Sequence, residues 1–221
     1  MKSLITIVAA LMSLVLATTA SATVFLYEDF ESSPVGWSID GEINLQTGSL
    51  WHRSDHRAAS STWSFAYNTD SPNYNYDVGV NWGLLASPWL DVSGAGPLVM
   101  DFDSWLQTEN GITRVDDTFL KYTTSGDQWQ TIEYDLLEHP QGEWNHLSVD
   151  LAFLAGSPVP VRVGFLFDSG DEYNNDYEGW YVDNVKVSDG ETPPVPEPST
   201  LVLLSTGLVG VGVALRRRLF R

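Results

Sequence analysis

The chain has 221 residues, with 29 acidic against 11 basic side chains, a net charge of −18 and no cysteine. The missing thiol excludes disulfides, cysteine nucleophiles and Cys-based zinc sites. The acidic field argues against nucleic acid as a partner, and against anionic polymers unless a cation bridges them.

Both ends are apolar and stand apart from the rest. Lys2 opens a basic region, Leu4 to Ala17 are apolar, and Ala20-Ser21-Ala22 is an A-x-A cleavage site, so residues 1–22 read as a signal peptide. The next segment, 23–188, is one domain's worth of chain, long enough for a real core. Pro193, Pro194, Pro196 and Pro198 hold the linker at 189–199 extended, because proline fixes φ and donates no backbone hydrogen bond. An apolar run from Leu201 to Leu215 follows, then Arg216-Arg217-Arg218. Residues 200–221 therefore read as a single transmembrane helix with a basic stop, slightly short of the ~20 apolar residues a bilayer needs. Arginines stay cytoplasmic, which leaves the upstream domain outside. Taking out the two ends leaves 28 acidic and six basic residues, a charge near −22.

Within 23–188 no stretch keeps a helical period for three turns. Short alternating runs sit instead between clusters of Gly, Pro, Asn, Asp and Ser, and aromatics are frequent. Strands are predicted at 24–30, 62–67, 80–86, 97–106, 117–124, 129–134, 145–151, 159–167 and 179–187. The clearest places Val161, Val163, Phe165 and Phe167 on one face. In the last, Tyr181, Asp183, Val185 and Val187 alternate against Val182, Asn184 and Lys186. Ser125-Gly126-Asp127 is a hairpin turn. The expected fold is all-β, a two-sheet antiparallel jelly-roll sandwich. Trp37, Trp51, Trp63, Trp129, Trp144 and Trp180 are assigned to its core or rim.

Two resemblances add to this. Val195-Pro196-Glu197-Pro198, with its apolar helix and Arg cluster, resembles the PEP-CTERM signal of Gram-negative bacteria. That implies export across the inner membrane, transient anchoring there, and processing by exosortase, a membrane cysteine transpeptidase. It also implies a setting of exopolysaccharide, cell surface and biofilm. Glu28-Asp29-Phe30-Glu31, Gly36-Trp37, Leu84-Leu85-Ala86-Ser87-Pro88, Tyr122 to Trp129 and Gly179-Trp180-Tyr181-Val182-Asp183-Asn184-Val185 together resemble MAM-like and choice-of-anchor domains, which are concanavalin A-like jelly rolls. Asn184 stands where that pattern has a second Asp. The same module accompanies immune-inhibitor-A-type metallopeptidases, but no peptidase is present in this chain.

The resemblance implies first and last strands near one another, so that Glu31 and Asp183 meet, with Asp29 and Asp117 as further ligands of a structural Ca2+. The other reading has Glu31 and Asp183 capping turns through backbone N–H groups. His52 and His56 form H-x-x-x-H, but Arg53 stands where a zincin needs Glu, so the motif is not read as a zinc site, and His52 and Arg57 are expected to be structural, pairing with carboxylates. The oxygen-rich loop from Asp168 to Glu178 fits no EF-hand and reads as solvated. No G-x-S-x-G elbow or phosphate loop occurs, and with 28 acidic residues a glycosidase pair has no specificity. Tyr74, Tyr76, Tyr173 and Tyr177, in polar loops, are candidate glycan contacts, with local packing as the alternative. The resulting expectation is a non-enzymatic adhesion or exopolysaccharide-associated module, without nucleic acid. A polysaccharide-active enzyme and a purely structural matrix protein remain open.

Overall fold

A computed structural model describes residues 22–109 and 116–190. All but the last residue of the expected signal peptide, the motif Val195-Pro196-Glu197-Pro198 and the apolar C-terminal segment lie outside the described residues. Thr23–Gly190 is one compact unit.

Twelve strands run β1 Val24–Glu28, β2 Ser38–Ile43, β3 Gln46–Thr47, β4 Trp51–Ser54, β5 Ser64–Tyr67, β6 Asn81–Ala86, β7 Val99–Gln107, β8 Asp117–Thr123, β9 Gln130–Ile132, β10 Trp144–Asp150, β11 Arg162–Asp168 and β12 Gly179–Ser188. Every run read from alternation is a strand, within three residues of its expected ends. The strands β2, β3 and β4 were not expected. Two of them lack an alternating apolar face: β2 is Ser-Ile-Asp-Gly-Glu-Ile and largely exposed, and β3 has two residues. Helix is confined, among the described residues, to two 3-10 turns.

The strands form an antiparallel two-sheet sandwich. The first sheet has the order β10-β7-β12-β5-β4, with β1 also paired to β12; the second has the order β3-β2-β6-β11-β8-β9. The core between them holds Val163, Phe165 and Phe167 of β11, Phe102 of β7, and Trp51 and Trp180. Buried polar tips are matched, as an interior of low dielectric requires. Trp51 Nε1 donates to the Gly83 carbonyl at 2.9 Å, Trp180 Nε1 to Ser104 Oγ at 2.9 Å, and the Tyr67 hydroxyl to Asn81 Oδ1 at 2.6 Å. Gly83 makes the crowding possible. A Cβ there would lie 2.5 Å from the Tyr67 ring and 2.3 Å from Ser49 Oγ.

The last strand departs from simple alternation. Trp180 and Val182 enter the core while Tyr181 packs outside it with Ala66 and Trp105. The register against β7 then shifts between Asp183 and Lys186, and Asn184 takes φ +50. That bulge turns Val185 and Val187 inward, in phase with Val182 rather than with Tyr181. It also marks where β12 changes partner, from β5 alongside Trp180–Val182 to β1 alongside Val185–Ser188.

Candidate functional site

The structure brings Glu31 and Asp183 to one loop. Glu31 Oε1 accepts from Ser60 Oγ at 2.8 Å, Thr62 N–H at 2.7 Å and Trp63 N–H at 3.0 Å. Asp183 Oδ2 accepts from the N–H groups of Ala59 and Ser60, each at 2.8 Å, and its Oδ1 from Asn184 N–H at 2.7 Å. Those donors hold the Glu31 carboxyl below its usual range, led by the Trp63 N–H; burial pushes Asp183 up despite its bonds. Asp29 Oδ1 accepts the Glu31 N–H, so it caps the same turn. Asp117 belongs to β8 of the other sheet.

This arrangement does not fit a calcium cage. Calcium takes six to eight oxygen ligands. Here Glu31 Oε1, Asp29 Oδ1 and both Asp183 oxygens accept from N–H or O–H donors, and the Phe30 and Glu31 carbonyls accept from a fixed organic cation. Arg53 Nε donates to the Phe30 carbonyl at 2.6 Å and its Nη2 to that of Glu31 at 2.5 Å, with the guanidinium 3.8 Å from the centre of the Trp63 ring. A second positive ion would sit against that charge.

The tyrosines divide between packing and exposure. Tyr76 is fully buried, stacked edge-on against Phe167, and donates its hydroxyl to Asp116. It cannot touch a glycan. Tyr177 packs against the core, and Tyr74 stacks on His56 at 3.8 Å. Tyr173 alone of the four is largely exposed, at 65%. The histidine motif is split by structure as well. His52 Nε2 lies 3.0 Å from Asp70, while His56 faces Glu178, whose carboxylate holds Arg57 through two bonds of 2.5 and 2.8 Å. Among the described residues no three His, Asp or Glu side chains converge as a metal site.

Burial lifts the Asp116 carboxyl to about 6, and raises Glu28 and Asp183 as well. A raised carboxyl binds its proton more tightly in the folded chain than in the unfolded one. Its contribution is therefore complete below the unfolded value and is lost as pH climbs through the folded value. Glu178, bonded to Arg57, and Glu31 are shifted down, so their contribution is present above the ordinary glutamate value of 4.5 and lost as pH falls through their folded values. Thermal melts should therefore peak near pH ~4, declining toward about pH 7 and again below about pH 3. A melting temperature constant between the upper two values would contradict the burial assigned to Asp116.

The outer side of the second sheet carries several large apolar side chains, of which Trp82, Leu166 and Phe119 are half-buried and Leu84 is buried. Leu85, Val163, Phe165, Phe167 and Leu120 point into the core, so strand alternation turns Trp82, Leu84, Leu166 and Phe119 outward. Register aligns Leu84, Leu166 and Phe119 in one row across β6, β11 and β8, with Asp40 at its end on β2. Trp82 stands in the adjacent row with Glu42, Asp168 and Asp117. Four residues along β11, about 13 Å by strand rise, Trp129 lies over Gly164, where a Cβ would be 3.0 Å from its ring. Beyond it the Arg162 guanidinium sits between Trp129 and Trp89, 6.0 and 5.6 Å from their centres, and Trp89 is 47% exposed. An aromatic and aliphatic floor flanked by carboxylates, cations and hydroxyls suits the C–H faces and hydroxyl edges of sugars. Sequence reading placed Trp129 at the core or rim and left Trp82 and Trp89 unassigned. The alternation of β6 and β11 is the signal that could have found them, since both strands carry large apolar residues on both faces.

Residues 194–218 match the PEP-CTERM protein-sorting motif. The motif marks an exported, exosortase-processed protein. Across 170 residues the chain is 25% identical to Bacillopeptidase F of Bacillus subtilis (strain 168), an alignment covering 76% of this chain and 11% of that much longer protein. Among solved structures it resembles TmCBM61 in complex with β-1,4-galactotriose, with a TM-score of 0.50 and 12% identity, covering 75% of this chain and 97% of that one. It also resembles the xylan-binding domain CBM22-1 of Xyn10C from Paenibacillus barcinonensis, with a TM-score of 0.47 and 11% identity over 77% of this chain and 96% of that one. The similar structures are mostly carbohydrate-binding modules and include the K3 cleaved adhesin domain of Lys-gingipain from Porphyromonas gingivalis, and the likeness to all of them is one of fold.

Proposed function

We propose that this protein is a non-enzymatic glycan-binding module of the cell surface or extracellular matrix, associated with exopolysaccharide and biofilm. The observation that supports it is the outward face of the second sheet, where Trp82, Phe119, Trp129 and Trp89 are held on rigid strands or beside them instead of in the core. Sugar rings stack on such side chains, and the neighbouring Asp40, Glu42 and Asp168 accept hydroxyl hydrogens. On this reading residues 1–22 are removed on export, 23–188 bind, 189–199 carry the sorting motif, and 200–221 anchor the chain until exosortase acts. On the same reading that domain is MAM-like, with Glu31 and Asp183 bonded to N–H groups of residues 59–63 and Arg53 to the neighbouring Phe30 and Glu31 carbonyls.

A polysaccharide array probed with the full chain in mild detergent tests this. Trp82→Ala and Trp129→Ala should each weaken binding roughly tenfold or more, the loss expected when a stacked aromatic is truncated. Tyr173→Ala should leave it unchanged. Binding lost with Tyr173→Ala but kept in both tryptophan variants would move the site to the loops. A clean negative across the array would sink the reading, and release of reducing sugar from any polymer would make the protein an enzyme.

A further inference from the structure

The middle of β11 holds a glycine that its backbone does not require. Gly164 lies inside a strand with β6 on one side and β8 on the other, opposite Ala86 and Lys121. Its φ is not positive, so the conformation is one that other residues adopt. Glycine weakens the interior of a strand, and where it stands there another group commonly comes close. At Gly83 that group is the core, with Tyr67 and Trp51 against the missing side chain. At Gly164 it lies on the opposite side. Val163 and Phe165 point into the core, so a side chain between them would point outward. Its Cβ would be 2.9 Å from Leu84 Cδ1 and 3.0 Å from Trp129 Cζ3.

Trp129 reaches this notch from the edge of the sheet. It immediately precedes β9, which β8 separates from β11. Two strand spacings are about 10 Å, so the indole crosses over β8 to rest there. The atom pressed into the notch, Cζ3, belongs to the six-membered ring on the side away from Nε1. Trp51 and Trp180 donate Nε1 to protein acceptors. Trp129 Nε1 meets no acceptor among the described residues and is not buried, so its N–H reaches solvent. Arg162 flanks the ring, 6.0 Å from its centre, and is itself fixed by the Ser87 and Ala86 carbonyls and by Ser38 Oγ. Trp89, the second tryptophan beside Arg162, rests on Gly126, where φ is +90 and glycine is needed on that ground alone. Gly164 has no such second reason.

We propose that Gly164 is the positioning residue of the glycan platform: its missing side chain seats Trp129 against β11 and leaves the rest of the indole, with its Nε1–H, open to a sugar ring. This deepens the glycan-binding reading and rests on it. The sugar's C–H face stacks on the indole and a hydroxyl accepts the N–H. Trp129 stems from a loop, and loops hold a side chain less firmly than strands do. A seat in the sheet, with Leu84 beside it and Arg162 at its flank, supplies the rigidity, because a mobile ring loses freedom on binding. A side chain at position 164 lifts the ring off the strand, although every group that touches the ligand is still present.

The test is Gly164→Val in the full chain, since valine favours a central strand and its branches need the space that the indole fills. Affinity for the polysaccharide that the parent binds best should fall roughly tenfold, as far as for Trp129→Ala. On top of Trp129→Ala the valine should cause no further loss. On top of Trp82→Ala, about 13 Å away, the two losses should multiply. A merely structural fault would weaken binding alike in every background. With isotope-labelled indole nitrogens, the Trp129 resonance, identified by its absence from Trp129→Phe, should shift in Gly164→Val. If valine prevents folding, Gly164→Ala should give the same pattern with a smaller loss. An unmoved Trp129 resonance would overturn the proposal, as would a further loss on top of Trp129→Ala. Binding weakened by Trp129→Ala but not by Gly164→Val would overturn it and leave the glycan reading standing. Silence toward every polysaccharide would remove both.

Discussion

Asp183→Ala is expected to destabilise the domain by about 3 kcal/mol, enough to threaten the folded state of a marginally stable sandwich. The carboxylate is fully buried and accepts the N–H groups of Ala59, Ser60 and Asn184. Alanine leaves those donors facing nothing, and each unsatisfied buried donor costs about 1–3 kcal/mol before the loop relaxes toward water. Asp183→Asn keeps one oxygen for Ala59 and Ser60 and should cost less. The same residue decides between the two readings of the clasp. If its partners are backbone N–H groups and Arg53 fills the cation's place, chelation leaves the parent melting temperature unchanged. A chelator that lowers it, and that has no further effect on Asp183→Ala, would make these carboxylates metal ligands.

Trp180→Ala should cost about 3–5 kcal/mol, the range for truncating a large buried aromatic. Its ring is fully buried, 5.6 Å from the rings of both Trp51 and Phe165, and its Nε1 donates to Ser104. One residue thus ties β12 to β4 and β7 in its own sheet and to β11 in the other. Trp180→Phe removes the indole donor but keeps most of the ring, so it should cost appreciably less. Urea unfolding of the two variants measures the difference. A midpoint for Trp180→Ala close to the parent's would mean that the core refills, contrary to the packing described.

Much of the sandwich was legible because alternation is a direct imprint of a two-faced strand. Val163, Phe165 and Phe167 had to share a face, and they do. The missed strands show where that imprint fails. In β4, Trp51 and Ser54 are buried while His52 and Arg53 are only half so, and a four-residue run of this kind has no period to read. In β12 the period is present but changes phase, since the bulge at Asp183–Asn184 reverses which residues point inward. Linear sequence has no mark for such a shift beyond an Asn able to adopt positive φ.

The candidate sites divide along the same line. The resemblance implied that Glu31 and Asp183 lie near one another; in the structure each accepts from Ser60, and the donors from Ala59 to Trp63 come from a segment with no distinguishing pattern. Tyr76 looked like Tyr74 beside it and like Tyr173 in another polar loop, yet it is buried against Phe167 while Tyr173 faces solvent. Burial belongs to the third dimension, and a tyrosine serves either side.

By itself the sequence determined that the chain is exported and sorted, because Val195-Pro196-Glu197-Pro198, the apolar run and the arginines act as a contiguous peptide and need no fold to be recognised. It also determined the all-β class, since alternation is local. The tertiary structure decided everything that depends on distant residues meeting. It bonded Glu31 and Asp183 to the segment from Ala59 to Trp63, and it placed Trp82, Trp129 and Trp89 with Arg162 on the outer side of the second sheet. Those four residues come from β6, β11 and the loops beside them, and only the pairing of antiparallel strands brings them to one side.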